Sequence, residues 1–318
     1  MNFIVYEMTF LRYFIPLIVE GNKRKIKSFV FVCEPSVHQK YNHPNKYKDV
    51  LTKLSNIYDF EIKNISDIQQ YSGVTFFVEA VGLDRVLDKK YKKIVLTYMV
   101  DYIHHYKKYI EKVDHVIFPS KFFAENYGCF SSKNLYLGSP KYDVVLNEPA
   151  IKEKYNLSDK KKALIVFPKL RDLRLNDLLT IYKALFDMGF EVLVKTRGKD
   201  PAPPELKGSR YFVDDSWYPH TTMELIKVSD VVINFSSTTI KETIIMNKPM
   251  VNFSWKPFKH LNFLYEYDFC KEGAPGDLEE SINYLINADL KSEYNRAIEK
   301  YLFPLGSSKR IVEFACKI

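Results

Sequence analysis

Between Val228 and Phe253 the chain reads Val-Ser-Asp-Val-Val-Ile-Asn-Phe-Ser-Ser-Thr-Thr-Ile-Lys-Glu-Thr-Ile-Ile-Met-Asn-Lys-Pro-Met-Val-Asn-Phe, and few folds accept it. Val231 to Phe235 is a short β-branched run suited to a buried strand. Ser236 to Thr239 interrupts it with four hydroxyls, and Ile240, Thr243, Ile244 and Met246 then recur at helical spacing. Asn247-Lys248-Pro249 ends the helix, and Met250 to Phe253 reads as the next strand. A parallel unit of this kind aims the helix N-terminus, with its unpaired amides and positive dipole end, at the carboxyl edge of the sheet. Anions bind well at such an edge. Ser236, Ser237, Thr238 and Thr239 can add hydrogen bonds to phosphate oxygens, and Glu242, about one turn in, can accept from ribose hydroxyls. The same hydroxyls can equally do no more than cap a helix.

The rest of the chain repeats the pattern. In the first half Asn2–Tyr6, Ser28–Cys33, Phe76–Val81, Ile94–Met99, His115–Pro119 and Leu135–Leu137 read as strands, with helices at Phe10–Val19, Lys46–Ile57 and Ser120–Tyr127. In the second half strands are expected at Ala163–Phe167, Phe190–Lys195 and Tyr211–Val213, and helices at Leu175–Met188, Thr222–Val228, Leu278–Ile286 and Leu290–Tyr301. Such alternation argues for parallel sheets covered on both faces. From Gly138 to Lys162 the chain turns polar, charged and proline-punctuated, as at a domain boundary. The reading is therefore an α/β chain of two doubly wound, Rossmann-like domains facing across a cleft: 1–145, then 146–306, with 307–318 packing back on the first. With 318 residues and 46% hydrophobic content, the chain is large enough for two cores.

Other signals exclude more than they assign. Cys33, Cys129, Cys270 and Cys316 form no Cys-x-x-Cys pair, which argues against structural zinc and a secreted disulfide framework and favours a reducing, cytoplasmic compartment. Glu7, Arg12 and Pro16 interrupt the apolar first twenty residues, so they neither span a membrane nor read as a signal peptide. A net charge of +8 gathers in Lys23-Arg24-Lys25, Lys89 to Lys93 and Lys160 to Lys162. These runs suit solvated turns, and they leave room for peripheral contact with an anionic membrane. No nucleic-acid motif is present.

Four segments carry a resemblance. Ser229-Asp230 through Ser236-Ser237, with Glu242 after it, resembles the Ser-Asp, apolar strand, Ser-Ser signature of the nucleotide-binding domain in glycosyltransferases of the two-domain GT-B fold. Within that group it is most similar to glycerophosphotransferases that use CDP-glycerol to build teichoic acids. Pro168-Lys169-Leu170-Arg171-Asp172 resembles the family's Pro-x-x-Arg-Asp turn. Gly138-Ser139-Pro140-Lys141-Tyr142-Asp143 resembles its Gly-x-Pro-x-x-Asp junction, and Val116 to Tyr127 its preceding strand, Ser and helix. The resemblance implies a nucleotide-sugar or CDP-linked donor as substrate, no separate cofactor, and a glycan or lipid-linked acceptor. The family's two histidine pairs are missing: the comparable strands end Leu193-Val194-Lys195-Thr196-Arg197-Gly198 and Thr97-Tyr98-Met99-Val100-Asp101.

Transfer from a nucleoside diphosphate needs positive charge for the departing diphosphate and a base for the acceptor proton. Arg171, Lys195 and Arg197, at or just after second-domain strand ends, are the expected clamp. Asp101 is the expected base, ahead of His104 and His105, with Glu7 and Glu79 in reserve. No metal-ligand spacing stands out. The reading is metal-independent glycosyl transfer to a hydroxyl of a surface glycan. CDP-glycerol transfer, a UDP-sugar 2-epimerase and a nucleotide-sugar-binding module without catalysis are the alternatives.

Overall fold

The computed structural model describes residues 1–33, 44–79, 81–86, 90–97, 106–168, 172–196, 203–206, 210–213, 217–255, 264–302 and 305–318. The chain divides into two compact units, Met1–Val144 with Glu299–Ile318, and Val145–Ile298. The return crossing thus falls before residue 306, the boundary expected from the sequence.

In the first unit β1 (Asn2–Val5) leads to α1 (Leu11–Lys23). There follow β2 (Phe29–Val32), α2 (Pro44–Tyr58), β3 (Glu61–Asn64), β4 (Gly73–Val78), β5 (Tyr91–Leu96), α3 (Tyr106–Tyr109), β6 (His115–Phe118), α4 (Lys121–Asn126) and β7 (Asn134–Tyr136). The second unit holds α5 (Glu148–Lys154), β8 (Lys162–Val166), α6 (Leu175–Asp187), β9 (Glu191–Lys195), β10 (Arg210–Phe212), α7 (Thr221–Val228), β11 (Val231–Asn234), α8 (Ile240–Ile245), β12 (Met250–Asn252), β13 (Cys270–Glu272), α9 (Leu278–Asn287) and α10 (Lys291–Ala297). Helix α11 (Ser307–Ala315) returns to the first unit.

The sheets run β3-β2-β1-β4-β5-β6-β7 and β10-β9-β8-β11-β12-β13, and the strand pairs are parallel. Each sheet steps outward from its first strand in one direction and then returns to build on its other side, the doubly wound order. The central strands are buried end to end, as the β-branched runs require when helices cover both faces.

An aspartate sets one register in each unit. Asp114 N–H donates to Lys93 O (3.0 Å) while its carboxylate accepts from Lys93 N–H (2.8 Å). Asp230 makes the same exchange with Lys162, at 2.8 and 2.7 Å. The aspartate of the Ser-Asp signature therefore works structurally, pinning the incoming strand to its neighbour.

Several expectations need correcting. The fourth strand ends at Val78 rather than Val81, because Glu79 turns into the left-handed region (φ +51). The edge strands β3 and β13 had no sequence signal, being short and largely polar, as exposed edges commonly are. The polar stretch after Gly138 is not bare linker: Asn147 accepts from Ala150 N–H (3.2 Å) and, with Pro149 behind it, starts α5.

The Gly138–Asp143 segment clasps the returning helix. Asp143 accepts from the backbone N–H groups of Gly306 (2.8 Å) and Ser308 (2.5 Å), and Arg310 donates to Leu137 O (3.2 Å). Gly138 sits at φ +90, and a Cβ there would lie 2.1 Å from Ser307 Oγ. On the far side of α11, Glu313 pairs with Arg24, just past the end of α1, at 2.9 Å.

Candidate functional site

At the carboxyl edge of the second sheet, β11 ends in a buried asparagine. Asn234 pairs in register with Asn252 of β12, and the two carboxamides meet at 2.8 Å, Asn252 presenting its Oδ1. The same Oδ1 accepts from Ser236 N–H at 2.9 Å. That bond holds Ser236 at φ +50, an uncommon conformation for a residue with a Cβ. Beyond it, Ser237 Oγ lies 3.0 Å from Thr239 Oγ1. The chain tightens into α8 through Ile240 N–H to Ser237 O (3.2 Å) and Lys241 N–H to Thr238 O (3.1 Å). Ser236 to Thr239 are half-buried, whereas Glu242 is 7% exposed. Asn247, at φ +53, and the Lys248 N–H bond to Thr243 O (3.1 Å) close the helix in the left-handed stop that asparagine tolerates.

An aromatic and hydroxyl cluster flanks this loop. Phe235 packs on Trp255 with centroids 4.3 Å apart and on Phe253 at 5.6 Å. Asn252 Nδ2 donates to the Tyr265 phenol oxygen at 2.7 Å, and Tyr265 Oη lies 2.7 Å from Ser254 Oγ. Burial pushes the Tyr265 phenol up, so it keeps its proton at neutral pH. Arg174 Nη2 reaches to 3.4 Å from Trp255 O. Asn252, Ser254, Trp255, Tyr265 and Arg174 belong to no motif that the sequence displays. The available signal was an asparagine at the end of two successive apolar strands.

Of the other expected residues, Lys195 ends β9, is 4% exposed, and donates to Thr196 O at 2.6 Å. Strand β8 stands between it and β11, so its backbone lies about 10 Å from the hydroxyl loop at the usual strand spacing. The structure brings Ser236, Ser237, Thr238, Thr239 and Glu242 together and sets Lys195 apart from them. Asp101, His104, His105, Arg171 and Arg197 lie outside the described residues.

At the carboxyl edge of the first sheet, Glu79 is buried and accepts from the Tyr109 hydroxyl at 3.3 Å. Burial and the adjacent Glu79 carboxylate push the Tyr109 phenol far up, so the phenol is a donor here and never a base. Burial also raises the Cys33 thiol to about 11. Glu7 is half-buried, with Thr9 Oγ1 at 3.4 Å. Among the described residues no three His, Cys, Asp or Glu side chains gather as metal ligands would.

Doubly wound order in both units narrows the comparison with known architectures, and solved structures decide it. The fold is of the GT-B type. The wall teichoic acid polymerase TagF superposes with a TM-score of 0.71 at 13% identity, covering 99% of this chain and 88% of that one. UDP-GlcNAc 2-epimerase from Neisseria meningitidis, bound to UDP-GlcNAc, gives 0.66 at 12% identity over the whole of both chains. S. aureus MnaA with UDP gives 0.60 at 13%, covering 98% of this chain and 94% of that one. No protein-family model matches the sequence, and no curated protein matches it. No described helix of this GT-B chain is long and apolar enough to cross a membrane.

Proposed function

We propose that the protein is a glycosyltransferase that uses a nucleotide-activated donor, held at the carboxyl edge of the second sheet, and transfers its sugar to a hydroxyl of a surface glycan or lipid-linked acceptor. What carries the reading is the Ser236–Thr239 loop: four half-buried hydroxyls at the end of β11, fixed from beneath by the Asn234–Asn252 pair. Hydroxyl donors held in one geometry suit a diphosphate, because the ordering cost is met during folding rather than on binding. The neighbours TagF, MnaA and UDP-GlcNAc 2-epimerase support a nucleotide-linked substrate in this architecture.

In this mechanism the loop hydroxyls and a cation stabilise the departing diphosphate. Arg174, Arg171, Lys195 and Arg197, which end or follow β8 and β9 in the sequence, are the cations assigned to that role. Asp101 is the first assignment for the base that takes the acceptor proton, and Glu79 the second. No metal is invoked. Peripheral contact with an anionic membrane, through the lysine runs, belongs to the same proposal.

The second reading is glycerol phosphate transfer from CDP-glycerol, favoured by the TagF likeness. Thermal stability against CDP-, UDP-, GDP- and dTDP-linked compounds, with and without chelator, tests both. A ligand bound to the folded state raises the midpoint by mass action. A selective shift with one sugar-linked nucleotide is the expected result, and a shift with CDP-glycerol alone favours the second reading. Ser236→Ala/Ser237→Ala should abolish the shift; an unchanged shift in that variant removes the loop from the site.

A further inference from the structure

Single apolar side chains in solvent need no explanation, whereas contiguous ones mark a surface that meets something. On the second unit Phe186 is 64% exposed, Val213 52% and Tyr211 38%, and they gather on one face. Phe186 stacks on the half-buried Tyr182, one turn earlier in α6, with centroids 6.5 Å apart. Tyr211 lies close enough to Tyr182 to add to the burial that pushes the Tyr182 phenol up. Val213 follows Tyr211 by two residues and so shares its side of the sheet. Strand β10 is the edge of that sheet. Edges are commonly guarded by charge, but Arg210 turns to the other face, onto Glu191 at 2.8 Å and the carbonyl oxygen of Asn156 at 2.6 Å.

The charges beside Phe186 are of both signs. Lys183 and Asp187 stand four apart on the exposed side of α6, yet neither side chain makes an ion pair or hydrogen bond among the described residues. Lysine ahead of the acid is the less favourable order for such a pair. Asp187 is also the last residue of α6, where the helix dipole disfavours an anion. A carboxylate so placed gains from a cation that its own helix does not supply.

We propose that this face is a two-fold interface with a second copy of the chain: α6 crosses its counterpart antiparallel, the two Phe186 rings meet near the axis, and Lys183 pairs with Asp187 of the partner subunit. The arrangement is isologous, so the charge pair is made twice. A patch of one sign would suit an oppositely charged partner, whereas a lysine and an aspartate flanking one aromatic are complementary to themselves when the helix is reversed. Helix α6 runs from the carboxyl edge, where β8 ends, to the amino edge, where β9 begins. Phe186 and Asp187 therefore lie toward the end of the sheet away from Ser236–Thr239, and the interface does not draw on the candidate donor site.

Sedimentation of the full chain from about 1 to about 100 μM should show a monomer passing into a dimer. Phe186→Ser alters an exposed position and should weaken association about a hundredfold. Lys183→Asp and Asp187→Lys each set like charges against one another twice, and each should weaken it about tenfold to a hundredfold. The double variant Lys183→Asp/Asp187→Lys restores opposite signs and should return to within about threefold of the wild type. An equimolar mixture of the two single variants should associate where neither does alone. A wild type that stays monomeric throughout overturns the proposal, as does undiminished association in Phe186→Ser. A double variant no stronger than the singles overturns the antiparallel two-fold.

Discussion

Two passages of this molecule are built to one plan and finished differently. Residues 114–136 in the first unit and 230–252 in the second both run from an aspartate through a buried strand, a serine and a short helix to the next strand. Each aspartate exchanges backbone and carboxylate bonds with a lysine on a neighbouring strand. At the far end they part. Ser120 is 2% exposed and donates to Tyr301 O at 2.9 Å, so the chain's return segment closes that edge. Ser236 to Thr239 stay half-buried, and Ser237 and Thr239 bond to each other. The same local grammar therefore yields a structural joint where the return segment bonds to the serine and a candidate binding loop where the hydroxyls stay half-buried.

The largest effects should come from breaking the first unit's finish. Gly138→Ala puts a Cβ 2.1 Å from Ser307 Oγ and 3.0 Å from Ser307 Cβ at φ +90, so the clasp on α11 must shift. The expected loss is about 3 kcal/mol, read as faster amide exchange across α1 and α11 with residues 163–252 unchanged. Exchange in the second unit rising equally would show that the units do not finish separately. Next comes Lys133, whose Nζ donates to Ile110 O (2.9 Å), Val113 O (2.8 Å) and Glu111 O (3.4 Å) just before β7. Lys133→Met strands those carbonyls at the edge of solvent and should cost about 2 kcal/mol by urea unfolding.

The serines give the direct crossover. Ser120→Ala should cost about 1 kcal/mol of stability, since a buried carbonyl loses its donor, and should leave nucleotide affinity as it was. Ser236→Ala should change stability by less, because the Asn252 bond is made by the backbone N–H, yet it should weaken nucleotide binding severalfold. Paired melts and titrations on the two variants decide the matter. Ser236→Ala that behaves as Ser120→Ala does would make both serines joints and neither a ligand group.

What the sequence discloses, and what it hides, follows the same line. β-Branched runs in the order strand, helix, strand announce parallel pairing because no other arrangement buries them, so β1, β2, β6, β8, β9 and β11 are legible within a residue or two. Polar edge strands such as β3 carry no such constraint. Ser236, Ser237, Thr238, Thr239 and Glu242 can be read because they are contiguous, and contiguity survives folding. Tyr265 reaches Asn252 across an intervening stretch, and the Gly306 cap reaches back to Asp143, so neither appears until the chain is folded. Glu79 reads as a strand end but not as a left-handed, buried carboxylate, since that conformation depends on Leu96 and Tyr109 around it.

The smallest effect carries the comparison to the amino edge of the second sheet. Lys248 lies one residue before the position equivalent to Lys133 of the first unit, likewise after the short helix and before the next strand. Lys133 is satisfied by carbonyls; Lys248 is held below the ordinary lysine range, first by burial, against the opposing pull of Glu148 and Asp230. While its ammonium stays charged, burial is a cost to the folded state that the two carboxylates offset in part. Lys248→Met should therefore leave stability within about 0.5 kcal/mol of the wild type, on the stabilising side, where Lys133→Met is clearly destabilising. The pH dependence has a definite sign. As pH rises through the lowered folded-state pKa, the folded wild type releases a proton that the unfolded chain still holds, and wild-type stability rises relative to the variant until the unfolded lysine also titrates. Urea midpoints of both proteins from about pH 7 to about pH 10.5, the ordinary lysine range, should converge; a gap that widens with pH would mean that Glu148 and Asp230, rather than burial, govern this lysine.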